Sequence, residues 1–387
     1  MGVEKLIGQF IVNWQEFKPE FEKRLNLGDQ NYLEIVFATA LAHRLPGDPL
    51  WLFWVAPSGG GKTEVLRSFR GVQDIKYIES LSEKGLVSHF YSRDDKSLAR
   101  LIDNKCLVIK DLTTLLEARS EIRKTVFSQL RGLYDGEFDS HTGVGGKSHH
   151  VKFGVLAGVT PIIEESRTIQ TALGERFLFL KTLPGKEMRK AHVRAAMRYS
   201  TMQPRMRKEL RDLTSSIMES VIPGAAKIKI DEHQREWFVR MAELLAQLRA
   251  HVPRDKYGSH DIVDEPVVEL ATRLVGQLMR LFISLRTLVN KDDSLRAVAR
   301  VVKDSIPTIR IKMVEYASRN GDFKIAGFES KISKTTLERY ADDLVALEVF
   351  EKAGVGIYKL LPELKEDVRG ILGGEKVLRE QRPGMWE

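Results

Sequence analysis

The chain has 387 residues, 43% hydrophobic and 29% charged, enough to bury a sizeable core in two or three packed units. No apolar run approaches bilayer-spanning length; the longest, Pro49 to Val55, reads as a buried strand, so no membrane partner is expected. A formal charge of +8 and a pI near 9.3 admit a polyanion as partner without specifying one. The single cysteine, Cys106, cannot form an internal disulfide and lies in a strand-like run, which fits packing in a reducing compartment. Met1 to Lys5 lacks the basic and apolar stretches of a secretory signal, so a cytoplasmic location is expected.

In chain order, the segment 1–49 is helical, with Leu33, Val36, Phe37 and Ala40 at helical spacing before the punctuation Pro46-Gly47-Asp48-Pro49. From 50 to 184, short apolar runs (52–55, 106–109, 153–157 and 177–180) alternate with helical stretches, the pattern of a parallel sheet covered by helices. From 185 to 304 the pattern turns helical throughout, an all-α lid whose first part is basic from Arg189 to Arg211. A last compact unit, 305–362, begins at Pro307. It predicts a helix over 309–320, an extended piece over 323–327, a second helix from Lys334 after Ser333, and two strands joined at Ala353-Gly354-Val355-Gly356. The tail, 363–387, is charged and reads as frayed.

The strongest motif follows the strand 52–55: Ala56-Pro57-Ser58-Gly59-Gly60-Gly61-Lys62-Thr63, then helix-forming Glu64-Val65-Leu66. Small glycines let backbone N–H groups converge on phosphate oxygens, and the helix start adds a partial positive charge there. Lys62 would reach the β and γ phosphates of ATP and the Thr63 hydroxyl would join the Mg²⁺ shell. Ala56 stands where the usual pattern begins with Gly. A phosphate site of this kind also needs a carboxylate at a neighbouring strand end. After 106–109 come Lys110 and Asp111, and only one acid is offered. Asp111 either activates water or holds Mg²⁺, depending on alignment, while a lysine facing the metal would repel it. The missing base would come from Glu117 or another subunit, or turnover is slow.

Together these residues resemble the AAA+ P-loop ATPases, and more closely the branch containing the MCM helicases and related ATPases of phages and mobile elements. The resemblance spans roughly residues 50–360 and implies a polar sensor at Thr160, closing the strand 153–159. It also implies an arginine finger at Arg176, in Ala172-Leu173-Gly174-Glu175-Arg176, acting on the ATP of the next subunit, and a second sensor arginine at Arg273 in the lid. A surface or intramolecular arginine is the alternative at Arg176, and arginine-rich helices mimic the Arg273 pattern easily.

A glycine-rich hairpin, 135–151, precedes the sensor strand, where this branch carries a basic residue to DNA; Lys147, helped by His149 and His150, would play that part. No Cys or acidic ligand pattern accompanies the two histidines, which argues against zinc. The C-terminal unit resembles a winged helix, implying DNA contacts from Lys334, Thr335, Thr336 and Arg339 on its second helix and from Lys352 and Lys359 on the wing. Glu338, Asp342 and Asp343 dilute that charge, so protein docking competes with DNA binding. The expectation is an α/β P-loop AAA+ core with an all-α lid and a C-terminal winged-helix domain. It would be a DNA-dependent ATPase, a self-associating hexameric helicase, with a non-translocating initiator or loader and a nucleotide-gated regulator as alternatives.

Overall fold

The computed structural model describes residues 13–29, 31–82, 86, 98–142, 145–164, 176–199, 202–221, 228–255, 258 and 260–373. Two compact units divide them: residues 1–229 with Arg280–Asn290, and residues 230–279 with Lys291–Glu387.

The first unit is built on five strands, β1 Trp51–Val55, β2 Ile75–Ile78, β3 Cys106–Ile109, β6 Gly154–Val159 and β7 Leu178–Lys181. A two-stranded hairpin, β4 Glu137–Thr142 and β5 Gly145–His150, lies between β3 and β6 in the chain. The five-stranded sheet is parallel throughout, in the order β2-β3-β6-β1-β7. A parallel sheet covered on both faces needs strands apolar on both sides. β1, Trp51-Leu52-Phe53-Trp54-Val55, is fully buried for that reason.

Its aromatic rings pack at short range: Phe53 stacks on Phe177 with centroids 4.0 Å apart, and Trp51 meets Phe153, Phe177 and Tyr134 at about 5 Å. The buried indoles keep partners, Trp51 Nε1 donating to the Phe153 carbonyl and Trp54 Nε1 to Thr182 Oγ1. Cys106 is buried in the same sheet, and burial pushes its thiol pKa up, as suits a packing role.

Helices α1 Trp14–Arg24 and α2 Tyr32–Leu41 precede the sheet, α3 Lys62–Ser68 follows β1, and α4 Ser120–Tyr134 follows β3. α5 Lys186–Tyr199 and α6 Gln203–Ser220 come after β7. Every residue of α2 is buried, and Phe37 gathers Trp14, Phe17, Phe21 and Phe69 around it. α6 packs on α1 and α3, fixed at its middle by Thr214 Oγ1 donating to Ser68 Oγ at 2.9 Å. Its end is capped by Arg44, which donates to the Met218 and Val221 carbonyls.

The second unit contains α7 Glu232–Arg249, the first part of α8 Thr272–Leu285, α9 Lys291–Ser305, α10 Thr308–Asn320, α11 Lys334–Ala346 and α12 Lys365–Gly373. Its three-stranded antiparallel sheet has the order β8-β10-β9, from Asp322–Lys324, Ile357–Leu360 and Phe350–Gly354. Ser333 caps α11, its side chain accepting the Thr336 amide at 3.2 Å. No helix among the described residues is long and apolar enough to cross a membrane.

Three features differ from the reading of the sequence. The described residues between 250 and 271 are not helical, because Pro253, Pro266 and Gly258 interrupt the ladder, and α8 starts only at Thr272. The compact units cut across the segment 185–304, giving α5 and α6 to the first unit and α7 and α9 to the second. The tail is not frayed at its start: α12 buries Val368 and Ile371, and Asp367 accepts Arg240 Nε at 2.6 Å.

Candidate functional site

The segment after β1 turns tightly, with Gly60 N donating to Pro57 O, and then enters α3 through Gly59 and Gly61, both at positive φ. Among the described residues the backbone amides of Ser58, Gly59, Gly61, Lys62 and Thr63 donate to no protein acceptor. Unbonded amides converging on one space form an anion cradle. Lys62 lies beneath them, 6% exposed, its Nζ donating to the Val159 carbonyl at 2.6 Å. Burial pushes its pKa down to about 8, against the attraction of Asp111.

Two neighbouring strand ends complete the floor. β6 lies between β1 and β3, so Thr160, just past β6, stands between the phosphate loop and Asp111, just past β3. Thr160 N donates to Thr113 Oγ1 at 3.1 Å, and Asp111 Oδ1 accepts the Thr113 amide at 2.8 Å, so one threonine ties both positions. Lys110 is drawn aside by an ion pair with Glu79 at the end of β2, and that bond holds the Glu79 pKa below the usual carboxylate range. The charge that would oppose a cation near Asp111 is thereby partly neutralised.

These groups line a cavity of about 370 Å³, within the range of small-molecule sites. Pro57, Ser58, Gly59, Gly60, Gly61, Lys62, Thr63, Glu64, Asp111 and Thr160 all face it, while Ala56 is buried behind, its amide bonded to Val159 O. Lys110 faces the cavity too, beside Asp111, and the remaining wall comes from residues outside the motifs: Glu22 and Arg24 in the last turn of α1, Leu25, Asn26 and Leu27 just after it, and Gln203 and Met206 at the start of α6. Leu27 presses on the loop so closely that a Cβ at Gly61 would lie 2.2 Å from its Cδ2. One turn along α6, Arg207 makes a two-pronged bond to Glu64 at 2.7 and 2.8 Å, and Arg24 is held by Glu209 and Glu20. The only sequence signal for Arg207 was its membership of the basic stretch.

A divalent cation beside nucleotide phosphates needs only one or two protein groups. Thr63 and Asp111, both on the cavity wall, fit that requirement. Among the described residues there is no cluster of three or more His, Cys, Asp or Glu able to hold a metal by itself.

Arg176 is not at this cavity. It precedes β7, at the sheet edge opposite the strand ends that form the floor, and donates to Asp135 Oδ2 at 2.8 Å with its guanidinium over the Tyr134 ring. Among the described residues its buried Nε has no hydrogen-bond partner. Residues 172–175 of its motif lie outside the described residues. The hairpin β4–β5 rises from the same edge, closed at its base by Val151 N donating to Gly136 O. The backbones of Lys147 and His149 are on β5, though their side chains lie outside the described residues, and His150 is exposed. Arg273 is exposed in the first turn of α8, within the second unit.

On the second unit Lys334, Thr335, Lys352 and Lys359 are exposed, with Lys352 Nζ 5.9 Å from the Tyr358 ring centre. Thr336 is engaged with Ser333, and Arg339 is half-buried. The acids read as diluting this face divide. Glu338 is exposed, Asp342 accepts the Tyr358 hydroxyl, and Asp343 is buried between Arg254 and Arg310, so it contributes nothing to the surface. No known protein family matches this chain, and no curated protein matches it.

Proposed function

We propose that the first unit binds ATP with Mg²⁺ and hydrolyses it, and that the protein is an MCM-like AAA+ ATPase acting on DNA. The observation that carries this reading is the convergence of Lys62, five unbonded loop amides, Asp111 and Thr160 on one cavity. The amides and Lys62 are suited to the phosphates, Thr63 and Asp111 to the cation, and Thr160 to a water or phosphate oxygen. The wall of Leu25, Leu27 and Met206 with the amides of Asn26 and Gln203 suits a purine. Within the same unit Arg207, on the helix that lends Gln203 and Met206 to the cavity, is a second candidate beside Arg273 for sensing the γ-phosphate.

The motor version is supported by the layout of β6, which runs from the hairpin base to Thr160. A strand of six residues spans roughly 20 Å, so chemistry at one end and a DNA-touching hairpin at the other share one rigid rod. Arg176, at the hairpin end, is remote from its own chain's phosphate loop, which favours use in trans within a hexamer. The exposed Lys334, Thr335, Lys352 and Lys359 of the winged-helix domain would add duplex contacts.

A non-translocating initiator or loader is the second reading. It is favoured by the acid count at the strand end, where Asp111 has only Lys110 beside it and Glu117 is not on the cavity wall. The test is ATP hydrolysis with and without single-stranded and duplex DNA, on protein whose mass is read in the same buffer. Stimulation by DNA in a hexamer-sized species supports the motor. A slow rate indifferent to DNA supports the switch, and failure to bind ATP overturns both.

A further inference from the structure

Helix α5 carries one face that its own unit does not cover. Met188 points inward, its Cγ 3.5 Å from where a Cβ on Gly28 would stand. At 3.6 residues per turn, the side chains of Lys186, Lys190, Val193 and Met197 fall on the opposite side, flanked by Arg189 and Arg194. All six are exposed, Val193 at 70% and Met197 at 80%. Apolar side chains this open, set among four basic residues with Glu187 the one acid beside them, paired with Lys190 at 3.0 Å, mark an interaction surface better than a solvated helix face.

A second surface of opposite character lies on the second unit. Residues 253–255 and 260–263 form an anchored base: Arg254 bridges Ile262 and binds the His260 carbonyl and Asp343, and Val263 N donates to Pro253 O. From Asp264 to Leu270 the chain has no helix or strand, and its described hydrogen bonding is confined to Glu265 N on Asp264 Oδ1. Val267 is 81% and Leu270 83% exposed, while Asp264, Glu265 and Glu269 supply only negative charge. A stretch with open backbone groups and exposed apolar side chains is available to a partner.

The two surfaces match. One is basic and apolar, on a helix of 14 residues that is about 21 Å long. The other is acidic and apolar, and its seven residues would reach about 23 Å when laid out as a strand. We propose that they dock on each other between copies of this chain, residues 264–270 of one molecule lying along α5 of the next. Two different patches meeting make a heterologous contact, which repeats into a ring or a filament rather than closing as a two-fold dimer. The proposal does not depend on nucleotide, so it is tested without any.

Val193→Cys and Val267→Cys single variants are mixed under mild oxidation, Cys106 staying silent because it is buried. A disulfide-linked dimer in the mixture, and not in either variant alone, is the expected result. Sedimentation of full-length protein at micromolar concentration gives the second reading. Lys190→Glu/Arg194→Glu and Glu265→Lys/Glu269→Lys should each weaken self-association about tenfold or more, and the chain carrying all four reversals should regain it. All these positions are exposed, and circular dichroism checks the fold of each variant. A monomeric wild type, charge reversals without effect, or a disulfide formed within one chain in the Val193→Cys/Val267→Cys double variant would each overturn the proposal.

Discussion

The Lys62 ammonium donates to the Val159 carbonyl oxygen at 2.6 Å, and the same oxygen accepts the Ala56 amide at 3.1 Å. The lysine is thus held by the sheet, beneath the loop. Burial lowers its pKa from 10.5 to about 8. Because the folded value lies below the unfolded one, the charged form is penalised in the fold. The penalty is complete below pH 8 and relieved as pH rises from about 8 towards 10.5, so this group makes the protein relatively more stable across that window. Phosphate binding reverses the preference. At pH 8 nucleotide binding should therefore take up about half a proton, and affinity should fall as pH rises further. Calorimetry in two buffers of different ionisation enthalpy measures the uptake, and Lys62→Ala should abolish it together with binding.

Asp111 and Thr160 both lean on Thr113, yet their removal should differ in size. Asp111→Asn keeps the shape and the bond from the Thr113 amide but loses the charge, and kcat should drop by about 10²-fold or more with ATP still bound. Thr160→Val removes one hydroxyl and should cost about tenfold. Steady-state hydrolysis beside equilibrium nucleotide titration separates these losses from loss of binding.

The two arginine assignments are decided by comparison. Arg207→Ala should lower turnover, since Arg207 is paired with Glu64 on the cavity wall, and a loss as large or larger in Arg273→Ala would give the γ-phosphate to the lid arginine instead. Arg176→Ala should lower turnover by about 10³-fold if it serves a neighbouring subunit. Adding it to a Lys62→Ala variant should then restore hydrolysis in mixed assemblies, where each supplies what the other lacks. Absence of rescue would return Arg176 to its intramolecular role with Asp135.

Gly158 tests the floor without touching ligand. A Cβ there would lie 2.5 Å from the Lys110 carbonyl oxygen, 2.8 Å from Leu66 Cδ1 and 3.2 Å from Lys62 Cδ. The first contact is backbone and cannot swing aside. Gly158→Ala should cost about 1–3 kcal/mol of stability and displace Lys62 enough to weaken nucleotide binding. Gly185→Ala, with nothing within 4 Å, is the control and should change neither.

What could be read from the sequence was local. The loop from Ala56 to Glu64 declares itself because one turn, one cradle and one helix start demand their residue types within nine consecutive positions. The parallel sheet followed from four apolar runs, and the hairpin from its glycines. The fate of Lys110 was not legible, because Glu79 stands 31 residues away, just past the end of β2. Neither was the choice of α6 to wall the cavity, since packing of Thr214 on Ser68 spans 146 positions and leaves no periodic trace.

The same limit explains Asp343, which reads from the sequence as one of two adjacent surface acids. Its side chain is 6% exposed, 2.7 Å from Arg254 Nε and 3.5 Å from Arg310 Nη2. Those arginines also bond the carbonyls of Arg339, His260, Leu248 and Ala250, so the acid balances charges that knit the unit together. Asp343→Ala leaves two buried guanidiniums without their counter-charge and should cost about 3–5 kcal/mol. Asp342→Ala loses only the bond from the Tyr358 hydroxyl and should cost about 1 kcal/mol. Urea denaturation of the full chain followed by circular dichroism measures both. Equal losses would mean that Asp343 does not carry the burden its position implies, and that Arg254 and Arg310 are held well enough by backbone carbonyls alone.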